Sequence, residues 1–205
     1  MKYTIIAIVV VIAIAVAVAL AVLKKKIGQN IVDAVESGNH DLFVSIIEDK
    51  KTKFLYPAAY LDSLRLNEAM TRNDVNEIDR LLEKLGKIKL SEKDKEKIYS
   101  QAYNYYLYVK SYKKCGIWRD KIKELKNDRL INEVDITYNI YVEKGYKYLD
   151  DMLEELKNMD ENSRGVNEFL ISLMYKNKGD KENAAKYEKL SKEHCKAFYE
   201  EHIKQ

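Results

Sequence analysis

Histidine and cysteine, which are common in catalytic and zinc sites, are few in this 205-residue chain. Its three histidines are His40, His194 and His202, and the last two share a predicted C-terminal helix with Cys195. The two helix histidines lie near one face, whereas Cys195 is rotated by about 100° from His194. A zinc site requires three or four converging ligands. We therefore interpret these side chains as polar residues of an exposed helix, and we expect no metal and no cofactor.

Other signals of enzymatic chemistry are equally weak. Carboxylates occur as adjacent pairs, which point apart on a helix and are typical of solvated faces: Asp150–Asp151, Glu154–Glu155 and Glu200–Glu201. The sequence has no glycine-rich phosphate loop and no Gly-x-Ser-x-Gly motif. Cys115 and Cys195 form no Cys-x-x-Cys pair, so we interpret them as small buried hydrophobic residues. We predict that the protein is not an enzyme, with a helical hydrolase or metal enzyme as the remote alternative.

Composition indicates an all-α protein that does not bind nucleic acid. The 36 basic and 33 acidic residues are mixed along the chain and leave a net charge of only +3. Nucleic-acid binding requires basic residues gathered on one face, which this pattern does not provide. Only seven glycines and one proline interrupt a chain rich in Lys, Glu and Leu. Few helix breakers and many helix formers favour helices throughout.

The N-terminus carries the longest apolar stretch. From Ile5 to Leu23 every side chain is Ile, Val, Ala or Leu, and the lysines 24–26 follow directly. As a helix this stretch is about 28 Å long, close to the thickness of bilayer hydrocarbon. The sequence thus predicts a transmembrane anchor over residues 1–26 and a water-facing domain over residues 27–205. Because most flanking lysines follow the helix, we expect a single-pass membrane protein whose domain is cytoplasmic rather than extracytoplasmic.

Two alternatives apply to this N-terminal stretch. The first is a cleaved secretory signal, although the apolar run exceeds the roughly 7 to 15 residues of a signal core. The second concerns Ala13, Ala17 and Ala21, which recur every four residues. Such small residues let two helices approach closely and form a homo-oligomer through the anchor. The same alanines are explained equally well as residues that face lipid and contact no second helix.

After the anchor, the chain repeats itself with a period of 34 residues. The copies cover Lys97–Lys110, Ile131–Lys144 and Gly165–Lys178. Apolar columns within them are Ala102, Ile136 and Leu170; Tyr106, Ile140 and Met174; and Leu107, Tyr141 and Tyr175. A helical hairpin of this size cannot cover its apolar faces alone, so stacked copies form a solenoid. With earlier breaks at Gly38 and Asn73, we count about five hairpins, of which the first two are less regular.

The repeat resembles the tetratricopeptide repeat over residues 97–190, and the similarity is strongest over 165–190. In the last copy Tyr175, Gly179-Asp180, Ala184 and Tyr187 match the family's tyrosine, turn, small residue and second-helix aromatic. The 34-residue helix–turn–helix period is also that of the family. The chain is similar to membrane-anchored repeat proteins in which one apolar helix carries a short solenoid.

The resemblance implies that the first helix of each hairpin lines a concave surface that binds a peptide or a partner helix. The matching positions here are Gln101, Tyr105, Tyr108, Asp135, Asn139, Lys176 and Asn177. Tyrosine suits such a surface, although packing between helices explains the tyrosines as well. We therefore expect a membrane-tethered scaffold or adaptor that binds another protein at the bilayer surface. The alternative is a self-associating protein or a fixed subunit of a membrane complex.

Overall fold

The computed structural model describes the backbone of residues 2–160 and 163–202 and the side chains of residues 11–160 and 163–195. The described chain is all-α, as predicted. Its eleven helices are α1 (Lys2–Glu36), α2 (His40–Glu48), α3 (Lys50–Leu55), α4 (Ala58–Thr71), α5 (Val75–Gly86), α6 (Glu92–Tyr108), α7 (Tyr112–Lys123), α8 (Asp128–Tyr141), α9 (Leu149–Lys157), α10 (Gly165–Lys178) and α11 (Lys181–His202).

Short polar side chains start many of these helices. The side-chain oxygens of Asn39, Asp74, Ser91 and Asn127 accept hydrogen bonds from backbone N–H groups in the first turns of α2, α5, α6 and α8. These N–H groups have no partner within the helix, so such an N-cap stabilises the helix by about 1 kcal/mol. The positions of the caps explain why the chain breaks into separate helices of ordinary length.

The turns between the helices recur regularly. Among the described residues the backbone is left-handed at five positions, namely Gly38, Asn73, Lys110, Lys144 and Gly179. These positions are separated by 35, 37, 34 and 35 residues. Each lies in the link of a helix–turn–helix hairpin: α1–α2, α4–α5, α6–α7, α8–α9 and α10–α11. The short helix α3 is an insertion between the first two hairpins.

The chain divides into two compact units, Met1–Leu90 and Ser91–Gln205. In unit 1 the C-terminal part of α1 packs on α2 and α3, and the two helices of the α4–α5 hairpin pack on each other. The first of these contacts buries Ile27, Ile31 and Ala34 of α1 against Phe43 and Ile47 of α2.

Unit 2 is a stack of three hairpins. The second helix of each hairpin packs on the first helix of the next, so α7 contacts α8, and α9 contacts α10. Between the first two hairpins, the buried Tyr103 hydroxyl donates a hydrogen bond of 3.0 Å to the Val134 carbonyl oxygen and lies 2.8 Å from the Thr137 hydroxyl. Between the last two, Ile140 packs with Ile171 and Met174. The stack buries the apolar column Tyr106, Ile140 and Met174.

The prediction of a membrane-spanning helix over residues 1–26 is wrong. Within the part of the chain that is described, none of the helices combines the length and the apolar content needed to cross a bilayer. The lysines do not end α1, which continues to Glu36 and buries its last turns in unit 1.

The first ten residues of the predicted anchor lie outside the residues whose side chains are described. The expectation of a single-pass membrane protein with a cytoplasmic domain depended on the same helix. That prediction of location is wrong for the same reason.

Candidate functional site

One face of α8 is left uncovered by the stack of unit 2. Arg129, Asn132, Glu133 and Ile136 follow the spacing i, i+3, i+4, i+7 and therefore share one face of the helix. The first three of these side chains are exposed and Ile136 is half-buried. A groove lies on each side of this strip. The strip and its two grooves form the candidate interaction surface.

The first groove, which we call the α6–α8 groove, has a volume of about 440 Å³. Its wall on α6 carries two lysines, and its wall on α8 carries Arg129 and Glu133, which form an ion pair of 3.0 Å. The complete lining is Lys93, Glu96, Lys97, Ser100, Asn127, Arg129, Leu130 and Glu133. With both signs of charge and a single apolar residue, this groove is a polar surface without a marked preference for one charge.

The second groove, the α8–α9 groove, has a volume of about 430 Å³ and a different character. Its apolar residues are Ile136, Tyr148 and Met152, and Met152 is almost fully buried. Three carboxylates and two amides complete the lining: Asp151, Glu154, Glu155, Asn132 and Asn158. The groove exists because α8 and α9 pack more loosely than the helices of the other hairpins.

The carboxylates of the α8–α9 groove are only partly neutralised. Glu154 forms an ion pair with Lys157 one turn further along α9. Asp151 and Glu155 are exposed, and neither has an ion-pair partner among the side chains described. They are four residues apart on α9, so they face the same side and repel each other. Among the described side chains, the groove therefore carries two carboxylates without an ion-pair partner, and Lys147, which precedes the lining residue Tyr148, places Nζ 5.1 Å from the centroid of the Tyr148 ring.

The predicted binding residues are dispersed, and none lines either groove. Tyr108 is 85% exposed at the end of α6 and Lys176 is exposed on α10, whereas Gln101 is half-buried. Tyr105 is buried edge-on against Tyr106, with ring centroids 5.2 Å apart. Tyr108 and Lys176 are therefore open to a partner, and Tyr105 serves packing.

The other three predicted residues are engaged within the chain. Asp135 accepts a 2.6 Å hydrogen bond from Arg119 Nε, and Lys123 Nζ is 3.0 Å away. Burial raises the pKa of Asp135, but these two cations outweigh that effect and hold its pKa below the ordinary value. Asn139 and Asn177 bind the backbone of the α8–α9 link. Their part in partner binding stays a prediction.

Sequence reasoning therefore missed the residues that line the two grooves. A signal was available in the polar i, i+3, i+4 spacing of Arg129, Asn132 and Glu133, because a helix face that packs inside a stack is apolar. No comparable signal predicted the α8–α9 groove. That groove depends on how far α9 lies from α8, which is a tertiary property.

Two clusters of titratable residues have the same composition. In unit 1, Glu68 Oε1 lies 2.8 Å from His40 Nδ1 and 2.6 Å from Arg72 Nε. In unit 2, Glu168 on α10 is in the same way the shared partner of a histidine and an arginine. Since buried carboxylates require partners of opposite charge or hydrogen-bond donors, the cluster in unit 1 fastens α2 to α4.

The cluster in unit 2 fastens α10 to α11. The carboxylate of Glu168 is 1% exposed, with Oε2 at 2.6 Å from His194 Nδ1 and Oε1 at 3.2 Å from Arg164 Nε. No group of three or more His, Cys, Asp or Glu side chains is placed to hold a metal ion within the described chain. His202 lies outside the residues whose side chains are described.

A third cavity, of about 400 Å³, lies in unit 1 between α2 and the α4–α5 hairpin. Its apolar wall is formed by α2, and its other wall carries arginines. Each arginine is paired with a carboxylate of the same cavity: Arg65 with Glu48, Arg72 with Glu68, and Arg80 with Glu77. Because these charges neutralise one another, the cavity shows no preference for a charged ligand.

Comparison with known proteins identifies no relative: no family model, no curated protein and no solved structure matches the chain.

Proposed function

We propose that the protein is a helical-repeat adaptor that binds a segment of another protein on the uncovered face of α8. The observation that carries this proposal is the exposed strip of Arg129, Asn132 and Glu133 between two grooves of about 440 and 430 Å³. The stacked hairpins of unit 2 provide a frame for this face, because α7 packs on α8 and α9 packs on α10. The resemblance of residues 97–190 to tetratricopeptide repeats supports the same function.

The dimensions of the surface suit a peptide more than a small molecule. Both grooves open onto the surface, and they flank the same exposed strip of α8. A helix or an extended chain placed along α8 inserts side chains into both grooves, as in known modes of peptide recognition. Binding energy at such surfaces is concentrated in a few side chains that enter pockets.

Photo-crosslinking from α8 tests this proposal. The photoreactive residue p-benzoylphenylalanine is placed at Asn132 in the full chain, and the control carries it at Asp120 on α7; both positions are exposed. After irradiation in cells of the source organism, we expect discrete adducts of higher mass from position 132 and none from position 120. No adduct at position 132, or the same adducts at both positions, would contradict the proposal.

A second candidate function is assembly of several copies through α1. Its described apolar side chains are uncovered within the chain, with Val11, Ile14, Val18 and Val22 between 57% and 65% exposed. Exposed apolar patches of this extent are typical of interaction sites. In a self-associating protein, neighbouring copies cover this segment.

Sedimentation distinguishes this candidate. We expect the full chain to sediment as an oligomer that the Val18→Lys substitution dissociates. The control is Val166→Lys on α10, because Val166 is similarly exposed at 65%. A monomeric wild type, or equal effects of the two substitutions, would rule out assembly through α1.

A further inference from the structure

We infer that the α8–α9 groove binds a lysine or arginine side chain from a basic segment of the partner. This inference rests on the proposed function, and it adds the chemical class of the partner. Three properties of the groove support it: the charge of its rim, the apolar character of its floor, and the spacing of its carboxylates.

The negative charge of the groove lining disfavours acidic and phosphorylated ligands. The groove is lined by Asp151, Glu154 and Glu155 and by no basic residue. Among the described side chains, Glu154 alone of these three has an ion-pair partner, Lys157, so an acidic or phosphorylated segment would add like charge beside two unpaired carboxylates. A cation between Asp151 and Glu155 instead relieves the repulsion between two carboxylates four residues apart on α9.

The floor explains why a side chain, rather than a free ion, is expected. Met152 is 3% exposed and lies at the bottom of the groove, with Ile136 and Tyr148 half-buried beside it. Lysine and arginine bury their aliphatic stems on apolar surfaces of this kind while the charged end reaches polar groups. An apolar floor below an acidic rim thus matches both parts of such a side chain.

A metal ion does not fit the same groove. Calcium takes six to eight oxygen ligands at about 2.3–2.6 Å, which requires carboxylates that converge on one point. The described residues contain no such convergent group. Asp151 and Glu155 are instead spread over one turn of α9, as suits a guanidinium group with donors on several sides. The amide oxygens of Asn132 and Asn158 are further acceptors in the lining.

A binding titration with defined peptides tests the inference. The probe is a fluorescein-labelled 14-residue amphipathic peptide of leucine, alanine and arginine, blocked at both ends. Two matched peptides carry citrulline, a neutral isostere, or glutamate in place of arginine. We expect the full chain to bind the arginine peptide about fivefold more tightly than the citrulline peptide, and the glutamate peptide least.

A charge-neutralised variant adds a second readout. Asp151→Asn combined with Glu155→Gln should weaken binding of the arginine peptide about fivefold and leave binding of the citrulline peptide unchanged. The matched control is Asp120→Asn with Glu124→Gln, which removes the same two charges at the same spacing from exposed residues at the C-terminal end of α7. The control variant should bind like the wild type.

The outcomes separate this inference from the proposed function. Equal binding of the arginine and citrulline peptides, equal losses in both variants, or no binding of the arginine peptide overturns the inference. The proposed function is decided by the crosslinks from Asn132. If these form while the peptides show no charge preference, the adaptor function stands and the basic partner is rejected.

Discussion

Two adjacent substitutions in the α8–α9 link should change stability in opposite directions. Lys144 has a left-handed backbone with φ of 54°, while Gly145 does not, and a methyl group on Gly145 would overlap the side-chain amide of Asn139. Asn139 is 9% exposed. Its oxygen accepts a 3.1 Å hydrogen bond from the Lys147 N–H, and its nitrogen donates a 2.8 Å hydrogen bond to Glu143.

The magnitudes follow from these contacts. Displacing the Asn139 amide loses two hydrogen bonds of about 0.5–1.5 kcal/mol each, so Gly145→Ala should lower the free energy of unfolding by about 1–3 kcal/mol. Lys144→Gly removes a left-handed strain of about 1–2 kcal/mol and adds about 0.5–1 kcal/mol of chain entropy to the unfolded state. The balance is a stabilisation of about 0.5–1 kcal/mol.

Urea denaturation followed by circular dichroism measures both changes, and hydrogen–deuterium exchange over residues 139–147 locates them. The control is Gly86→Ala, because a methyl group there meets no atom within 4 Å. It should be neutral or stabilising, since alanine is the better helix former. A Gly145→Ala variant within 0.5 kcal/mol of wild type would refute the argument, as would a destabilising Lys144→Gly.

Three further predictions concern the buried polar groups of unit 2. Tyr103→Phe removes the hydroxyl that bonds to α8 and should lower the urea midpoint by an amount equivalent to about 1–2 kcal/mol. Because the pKa of Asp135 is depressed below 3.8, its pairing with Arg119 stabilises the fold above that pH and is lost as the pH falls through the folded pKa. Asp135→Asn should therefore lower the melting temperature at pH 7 more than at pH 3. Burial raises the pKa of the Cys115 thiol to about 11. In a Cys195→Ser variant, iodoacetamide should therefore label Cys115 only as fast as the protein unfolds. Rapid labelling of the folded protein would contradict this prediction.

The helical repeat was accessible to sequence reasoning because it depends on local periodicity. The column Tyr106, Ile140 and Met174 was predicted to be apolar at one helix face, and all three side chains are at most 2% exposed. Spacing along a helix determines which side chains share a face, whatever the neighbours are. The helices and this buried column were therefore predictable, whereas Ile136 of the column Ala102, Ile136 and Leu170 is half-buried on the uncovered face of α8.

The hydrogen-bond partners of polar residues could not be predicted from the sequence in the same way. The sequence shows that Asp135 and Asn139 require hydrogen bonds, but not whether a partner protein, water or this chain supplies them. In the structure, α7 supplies those of Asp135 and the following link supplies those of Asn139. The role of Gly145 could not be predicted from the sequence either. A glycine is required there by the nearby Asn139 side-chain amide and not by a left-handed backbone.

The acidic groove follows from the link that precedes α9. The other four hairpins are joined by links of two or three residues, whereas residues 142–148 join α8 to α9. This longer link allows α9 to begin away from α8, and Asn177 connects the link to the end of α8 by donating 3.0 Å hydrogen bonds to the carbonyl oxygens of Gly145 in the link and Ile140 in α8. Gly145→Ala should therefore weaken binding of the arginine peptide, while Lys144→Gly leaves it unchanged. If Gly145→Ala lowers stability but not peptide affinity, the groove does not depend on the shape of this link.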